Sequence, residues 1–282
     1  MAVARHRALV ASVAIAAFSL AACSSSDDTT DDAASATEAP AATAAPDTTM
    51  AADPVTILVT NDDGVGSEGI DAVVEGLQTL DGVEIVVVAP AENQSGKSDT
   101  TTDGDVTWQD ATTASGYEAV SVNGTPADAV TVALDELDIT PDLVVSGINE
   151  GQNIGPLIKL SGTVGAARTA ARQGYPALAA SQGIGDAITY DDAAELIVDW
   201  VEANRDAAVA GTLDPNIVTS INVPTCPVGE PRGLVEVPAA EDDTSARELL
   251  VVDCESTVED PVDDIQGFTT GFAVQTELDL TT

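Results

Sequence analysis

The sequence predicts a three-layer α/β/α sandwich built on a mostly parallel, doubly wound sheet. Three observations lead there. Short β-branched runs alternate with helical apolar stripes from Val55 to Val223, the pattern of a parallel sheet with helices on its faces. Polar, glycine-bearing clusters follow the predicted strands directly, where an open α/β sheet keeps its ligand crevice. The chain from Pro54 onward is also long enough for one domain with a full core.

The elements follow in order. Val55–Thr60 and Val83–Ala89 read as strands, and between them Ile70, Val73, Val74 and Leu77 recur at helical spacing. Tyr117–Val122 alternates like a strand. Thr125-Pro126 then opens a helix with a capping hydroxyl and a proline at its first position. Val130, Ala133, Leu134 and Leu137 form that helix's apolar stripe. Leu143–Ile148 is a strand, Thr163–Gln173 a helix and Pro176–Ser181 a strand. A long helix carries Ala193, Leu196, Ile197, Trp200 and Val201, and Ile217–Val223 is the last central strand. Beyond Pro224 the pattern weakens, with Phe272–Leu280 expected as a peripheral strand.

Ahead of this unit, residues 1–22 read as a signal peptide. Arg5, His6 and Arg7 form a basic head, and Ala8–Leu20 is apolar but too short to span a bilayer. Leu20-Ala21-Ala22-Cys23 resembles a bacterial lipobox, which makes Cys23 the expected lipidation site and membrane anchor of an exported lipoprotein. Residues 23–53 are rich in Ala, Thr, Ser, Pro and Asp, without aromatic or basic residues. Such a segment buries too little apolar surface to offset ordering entropy, so a flexible acidic linker is expected. Residues 54–282 are then the folded domain. It holds Cys226 and Cys254, which export would permit to bridge; two free thiols are the alternative.

Composition excludes several functions. Nine Lys and Arg stand against 48 Asp and Glu, a formal charge of −39, which removes nucleic acid as a partner. The only histidine is His6, inside the predicted signal peptide. Ser-His-Asp hydrolysis and histidine-ligated zinc sites therefore fail, and any metal must be held by oxygen, as Mg²⁺, Mn²⁺ or Ca²⁺ are.

Three motif strings fail on their own chemistry. Cys226-Pro-Val-Gly-Glu-Pro-Arg232 has the spacing of a cysteine-phosphatase loop, but Pro227 and Pro231 lack N–H donors and Glu230 repels an anion. Asp103-Gly-Asp105-Val-Thr107 follows three threonines rather than an apolar strand and reads as a polar loop. Gly96-Lys97-Ser98 has Ala91 where a P-loop needs its first glycine.

What remains is Asn61-Asp62-Asp63-Gly64, Asn93-Gln94-Ser95-Gly96, Ser146-Gly147-Ile148-Asn149 and Ser161-Gly162-Thr163. Two carboxylates, a hydroxyl and an amide carbonyl make an all-oxygen cation site, and Thr163 opens a helix whose N-terminus suits phosphate. Taken alone, Asn-Asp-Asp-Gly also fits a capping turn.

With Val122-Asn-Gly-Thr-Pro-Ala-Asp128, Pro141-Asp-Leu-Val-Val-Ser-Gly-Ile-Asn149 and Leu160-Ser-Gly-Thr-Val-Gly165, this set strongly resembles the SurE family of survival nucleotidases, in the same order from Val55 to Pro224. The resemblance implies a metal-dependent 5′/3′-nucleotidase acting on nucleoside monophosphates. It further implies one Mg²⁺ or Mn²⁺ per subunit, held by Asp62, Asp63, Ser95 and Asn149. Asn61, Asn153, Ser161, Gly162 and Thr163 would line the phosphate and its water, and Asp63 would be the catalytic carboxylate that orients or deprotonates the water. Gly66-Ser67-Glu68 replaces the family's usual His-Ala-Pro. Lys97 and Lys159 are either phosphate contacts or solvated loop charges. Assembly as a homodimer or larger oligomer is left open, because the region after Pro224 matches the family poorly. The rival class is a non-catalytic solute-binding lipoprotein.

Overall fold

The structure, a computed structural model, describes residues 54–241 and 251–280. The expected signal peptide, Cys23 and the linker lie outside the described residues.

Nine strands among the described residues form one sheet: β1 (Val55–Thr60), β2 (Val83–Pro90), β3 (Thr107–Thr112), β4 (Glu118–Asn123), β5 (Leu143–Glu150), β6 (Ala177–Gln182), β7 (Ile217–Val223), β8 (Leu234–Glu236) and β9 (Ala273–Asp279). Their order is β3-β4-β2-β1-β5-β6-β7-β9-β8. The six strands from β4 to β7 are parallel. The chain winds outward from β1 through β2 to β4, then returns to the other side of β1 as β5. The order thus reverses between β1 and β5, at the switch point where such sheets bind ligands.

Helices cover both faces because the strands carry apolar residues on both. Ile57 and Val59 pack with α1 (Glu68–Leu77) and α4 (Asp191–Val209), meeting Ile70, Leu77, Ile197 and Val201. Leu58, between them, points the other way into α2 (Pro126–Thr131) and α3 (Gly162–Arg172), among Val130, Val164 and Ala167. This is the period-2 alternation of a strand buried twice. Each large side chain removed from water here stabilises the fold by about 2 kcal/mol. The helix expected at Thr125-Pro126 is present: Thr125 accepts from the Asp128 N–H, and Asp128 accepts from the Thr125 N–H.

The three-layer, doubly wound expectation holds, with differences at both ends. Residues 103–106 are loop as expected, but Thr107, the last residue of that string, already pairs with β4 and opens the antiparallel edge strand β3. Its side chains are mostly exposed, so it carries no strong apolar signal. The strand expected over Phe272–Leu280 is not peripheral: β9 lies between β7 and β8, with Val274 and Leu278 buried. The short helix α5 (Asp264–Thr269) precedes it. Cys226 and Cys254 are bridged, with Cα atoms 5.8 Å apart.

Candidate active site

Asp62 and Asp63 stand just past the carboxyl end of β1, and their loop is held by the residue before them. Asn61 donates to the Gly64 carbonyl and the Ser67 hydroxyl and accepts from the Gly64 N–H. Gly64 sits at φ +105°, where a side chain would be strained and would meet Glu92 at 3.3 Å. Asn61 is therefore committed to the turn that aims the two carboxylates.

The aspartates then diverge. Asp62 is 2% exposed and accepts from the Thr163 hydroxyl at 2.6 Å. The Gly162 N–H also supports its carboxylate. A side chain on Gly162 would lie 2.7 Å from Asp62 Oδ2, so glycine is what lets the α3 N-terminus close on this aspartate. Burial nonetheless pushes Asp62 up to about 6, with Thr163 opposing and the Asp63 charge adding to the rise. Asp63 accepts from Asn93 Nδ2 and from the Glu150 N–H, each at 2.9 Å. Burial raises its pKa as well, and the nearby Glu150 carboxylate adds to that.

The remaining elements converge on this pair. The Gln94 N–H donates to the Asp62 carbonyl at 2.7 Å, and the Ser95 N–H donates to Asn93 Oδ1, so the β2 loop that carries Ser95 is tied to both aspartates. The same loop is clamped to α3. Ser98 bonds the Lys159 and Leu160 carbonyls, and a side chain on Gly165 would strike the Ser98 carbonyl at 2.1 Å. Asn149 arrives through a register shift in β5 between Ser146 and Asn149. Its Nδ2 donates to the Gly151 carbonyl, leaving Oδ1 as the atom available to a cation. Ser161 caps α3 by accepting from the Val164 N–H.

Asp62, Asp63, Ser95, Asn149, Ser161, Gly162 and Thr163 are thus brought to one crevice. Thr163 positions Asp62. Asn153 is placed differently: its Nδ2 donates to Ser181 and its N–H to Asn222 Oδ1 at 2.6 Å, in a buried network beyond β5. Three participants carried no signal strong enough to single out. Asn93 and Glu150 hold Asp63, and Tyr190 is pushed up to about 12 by burial and by Glu150, Asp63 and Glu68. Asn93 stood in a quoted cluster, so its position could have flagged it; Glu150 acts through its backbone, which no residue type reveals.

The donor chemistry suits a hard cation. Two adjacent carboxylates, raised by burial and by like charge, need a positive partner. The oxygens of Ser95 and Asn149 complete a set of the kind that Mg²⁺ or Mn²⁺ accepts.

Sequence comparison gives this arrangement a family. The profile described as "Survival protein SurE" matches residues 57–244. The chain belongs to the SurE family. It is similar to the 5′-nucleotidase SurE of Brevibacillus brevis, 40% identical over 190 residues that make up 64% of this chain and 70% of that protein. The 5′-nucleotidase SurE 1 of Burkholderia lata is 38% identical over 182 residues, 63% and 67% of the two chains. Among solved structures, the SurE protein from Aquifex aeolicus superposes with a TM-score of 0.65 at 27% identity, covering 80% of this chain and 93% of that one. The expected α/β fold is shared with that SurE structure.

Proposed function

We propose that this chain is a metal-dependent nucleotidase that hydrolyses the phosphomonoester of nucleoside monophosphates. The observation that carries this reading is the Asp62–Asp63 pair at the β1/β5 switch point, facing the N-terminus of α3. SurE relatives named 5′-nucleotidase support the reaction class.

Asp62, Asp63, Ser95 and Asn149 would hold the cation. When bound, it supplies charge neutralisation at the phosphoryl oxygens and polarisation of phosphorus. The protein does the positioning. Thr163 and Gly162 fix Asp62, while Asn93 and the Glu150 N–H fix Asp63. Ser161 takes the Val164 N–H and Asp62 the Gly162 N–H, so α3 would favour the phosphate through the positive end of its dipole. Asp63, less buried than its neighbour, orients or deprotonates the attacking water, which enters in line with the leaving oxygen. Lys97 and Lys159 stand on the same rim, because Ser98 bonds the Lys159 carbonyl; both are exposed and would attract the anionic substrate.

We also propose export, with lipid on Cys23. The Cys226–Cys254 bridge supports an oxidising compartment. Incorporation of a fatty-acid label that disappears in Cys23→Ser would establish the anchor; equal labelling in both would rule it out.

The deciding experiment for the enzyme is phosphate release from a panel of nucleoside monophosphates, with Mn²⁺, Mg²⁺ or EDTA, by the chain and by Asp62→Ala/Asp63→Ala. Metal-dependent release that vanishes in the double variant is expected. Release that persists in the variant would move the chemistry elsewhere.

A further inference from the structure

Outside the aspartate crevice, a groove of about 430 Å³ runs beside the first turns of α4 past Asp192, Glu195, Asp199 and Glu230. It shares Asp192 and Glu230 with a smaller inner cavity lined by Gln182 and Cys226. Its carboxylates are exposed, as on any solvated acidic face, and nothing there selects a ligand. The crevice itself carries more. β6 lies beside β5 in the sheet, so the loop after β6 opens at the same end as the two aspartates. That loop is Gly183-Ile184-Gly185, and Ile184 is 54% exposed.

A single exposed isoleucine is ordinary on a protein surface. This one is set apart first by how it is held. A side chain on Gly183 would meet the Phe268 ring at 2.6 Å, and one on Gly185 would strike the Thr225 side chain. Neither glycine has a positive φ, so what each supplies is space for close packing. The Gly183 N–H donates to the Val223 carbonyl at 2.7 Å, and the Thr225 hydroxyl donates to the Gly183 carbonyl. The Ile184 N–H donates to Gln152 Oε1 at 3.3 Å. The backbone on both sides of Ile184 is thus packed inward, and its apolar side chain is held out to water on a rigid frame.

Its place is the second distinction. A Cβ on Gly151 would lie 3.7 Å from Asn149 Nδ2 and 3.6 Å from Ile184 Cγ1. Ile184 and the Asn149 amide therefore face each other across the space of one missing side chain. The opposite rim carries the exposed Lys97 and Lys159. The crevice is charged on one side and apolar on the other, which suits a phosphoester with an apolar leaving portion. On the nucleotidase reading, on which this inference rests, the large apolar surface of the substrate is the face of its base. We propose that Ile184 is the specificity-determining contact for the nucleobase, with the phosphate at the aspartates, the ribose over Gly151 and the base lying on the Ile184 side chain.

The test measures, for the full chain with Mn²⁺, the KM of AMP and the inhibition constants of adenosine and ribose 5-phosphate as competitors. Adenosine keeps the base and lacks the phosphate; ribose 5-phosphate is the reverse. Ile184→Ser should raise the AMP KM and the adenosine constant about tenfold with kcat held, the scale of losing one aliphatic side chain against a ring. The ribose 5-phosphate constant should not move, and Ile184→Leu should restore both others. Val209→Ser, at a 60% exposed position at the far end of α4, should change none of them. An unchanged AMP KM in Ile184→Ser, adenosine that does not compete, or equal weakening of adenosine and ribose 5-phosphate would each overturn the proposal and leave the nucleotidase reading standing. No AMP turnover by the full chain would overturn that reading, and this inference with it.

Discussion

The crevice past β1 and the groove beside α4 are both acidic, yet they are built in opposite ways. In the crevice the carboxylates are withdrawn from water and each is held by named donors: Thr163 and Gly162 on Asp62, Asn93 and the Glu150 N–H on Asp63. In the groove Asp192, Glu195, Asp199 and Glu230 are exposed, and the buried polar group is a neutral amide. A chain with 48 acidic residues has carboxylates everywhere, so their number marks nothing. Burial and fixed orientation separate the crevice, because a desolvated carboxylate persists only where something else requires it.

That contrast can be broken most severely in the crevice. Asp62→Asn keeps the shape and an acceptor for Thr163 but removes the charge; nucleotidase kcat/KM should fall about a thousandfold, roughly 4 kcal/mol of transition-state stabilisation. A loss under tenfold would show that Asp62 is structural.

The groove depends instead on its bridge. Cys226 lines the inner cavity, and Glu230 stands four residues further along. Replacing both cysteines by serine should cost about 3–4 kcal/mol, from the loop entropy of a crosslink with sequence separation 28. Nucleotidase activity should survive at low temperature, and its loss there would mean that the two regions are not independent.

Acid should act on the crevice next. In the metal-free chain Asp62 is held near 6, above its ordinary 3.8. The folded state therefore binds the extra proton between these values, and stability rises as pH falls from 7 toward 4, by about 3 kcal/mol from this group. Asp63 and Asp264, raised mainly by burial, act in the same direction. Melting temperatures across this range should show the gain, and Asp62→Asn should flatten it. Saturating Mn²⁺ should reverse the trend by favouring the ionised pair. A wild-type profile identical to Asp62→Asn would refute the buried-charge account.

The smallest effect belongs to the groove. Glu195 and Asp199 are like charges four apart on α4, so Glu195→Gln should stabilise the protein by about 0.3 kcal/mol at low salt, an increment that vanishes at high salt. An increment independent of salt would point to packing instead.

Much of this was legible before any coordinates. Ile57-Leu-Val in β1 is apolar at successive positions because both faces of the strand are covered, and such runs fix a parallel sheet. Asp62, Asp63, Ser95, Asn149 and Ser161-Gly162-Thr163 were visible as polar punctuation after strands or at a helix start. The two edges of the sheet were less readable. β3 is an exposed edge strand, and β8 spans only Leu234–Glu236. β9 is held by pairing with β7 on one side and β8 on the other, partners that local periodicity cannot name.

By itself, then, the sequence determined the central alternation of strands and helices, the acidic surface, the exclusion of histidine chemistry and the residues of the crevice, because these depend on side-chain type and short-range spacing. Tertiary structure alone decided that Thr163 serves Asp62, that Asn61 belongs to the turn and Asn153 to a buried network, that Cys226 meets Cys254, and that Gln182 is left with an unfilled acceptor. Apart from the local Asn61 turn, each of those joins atoms distant along the chain. No spacing rule encodes that, and only the packed fold resolves it.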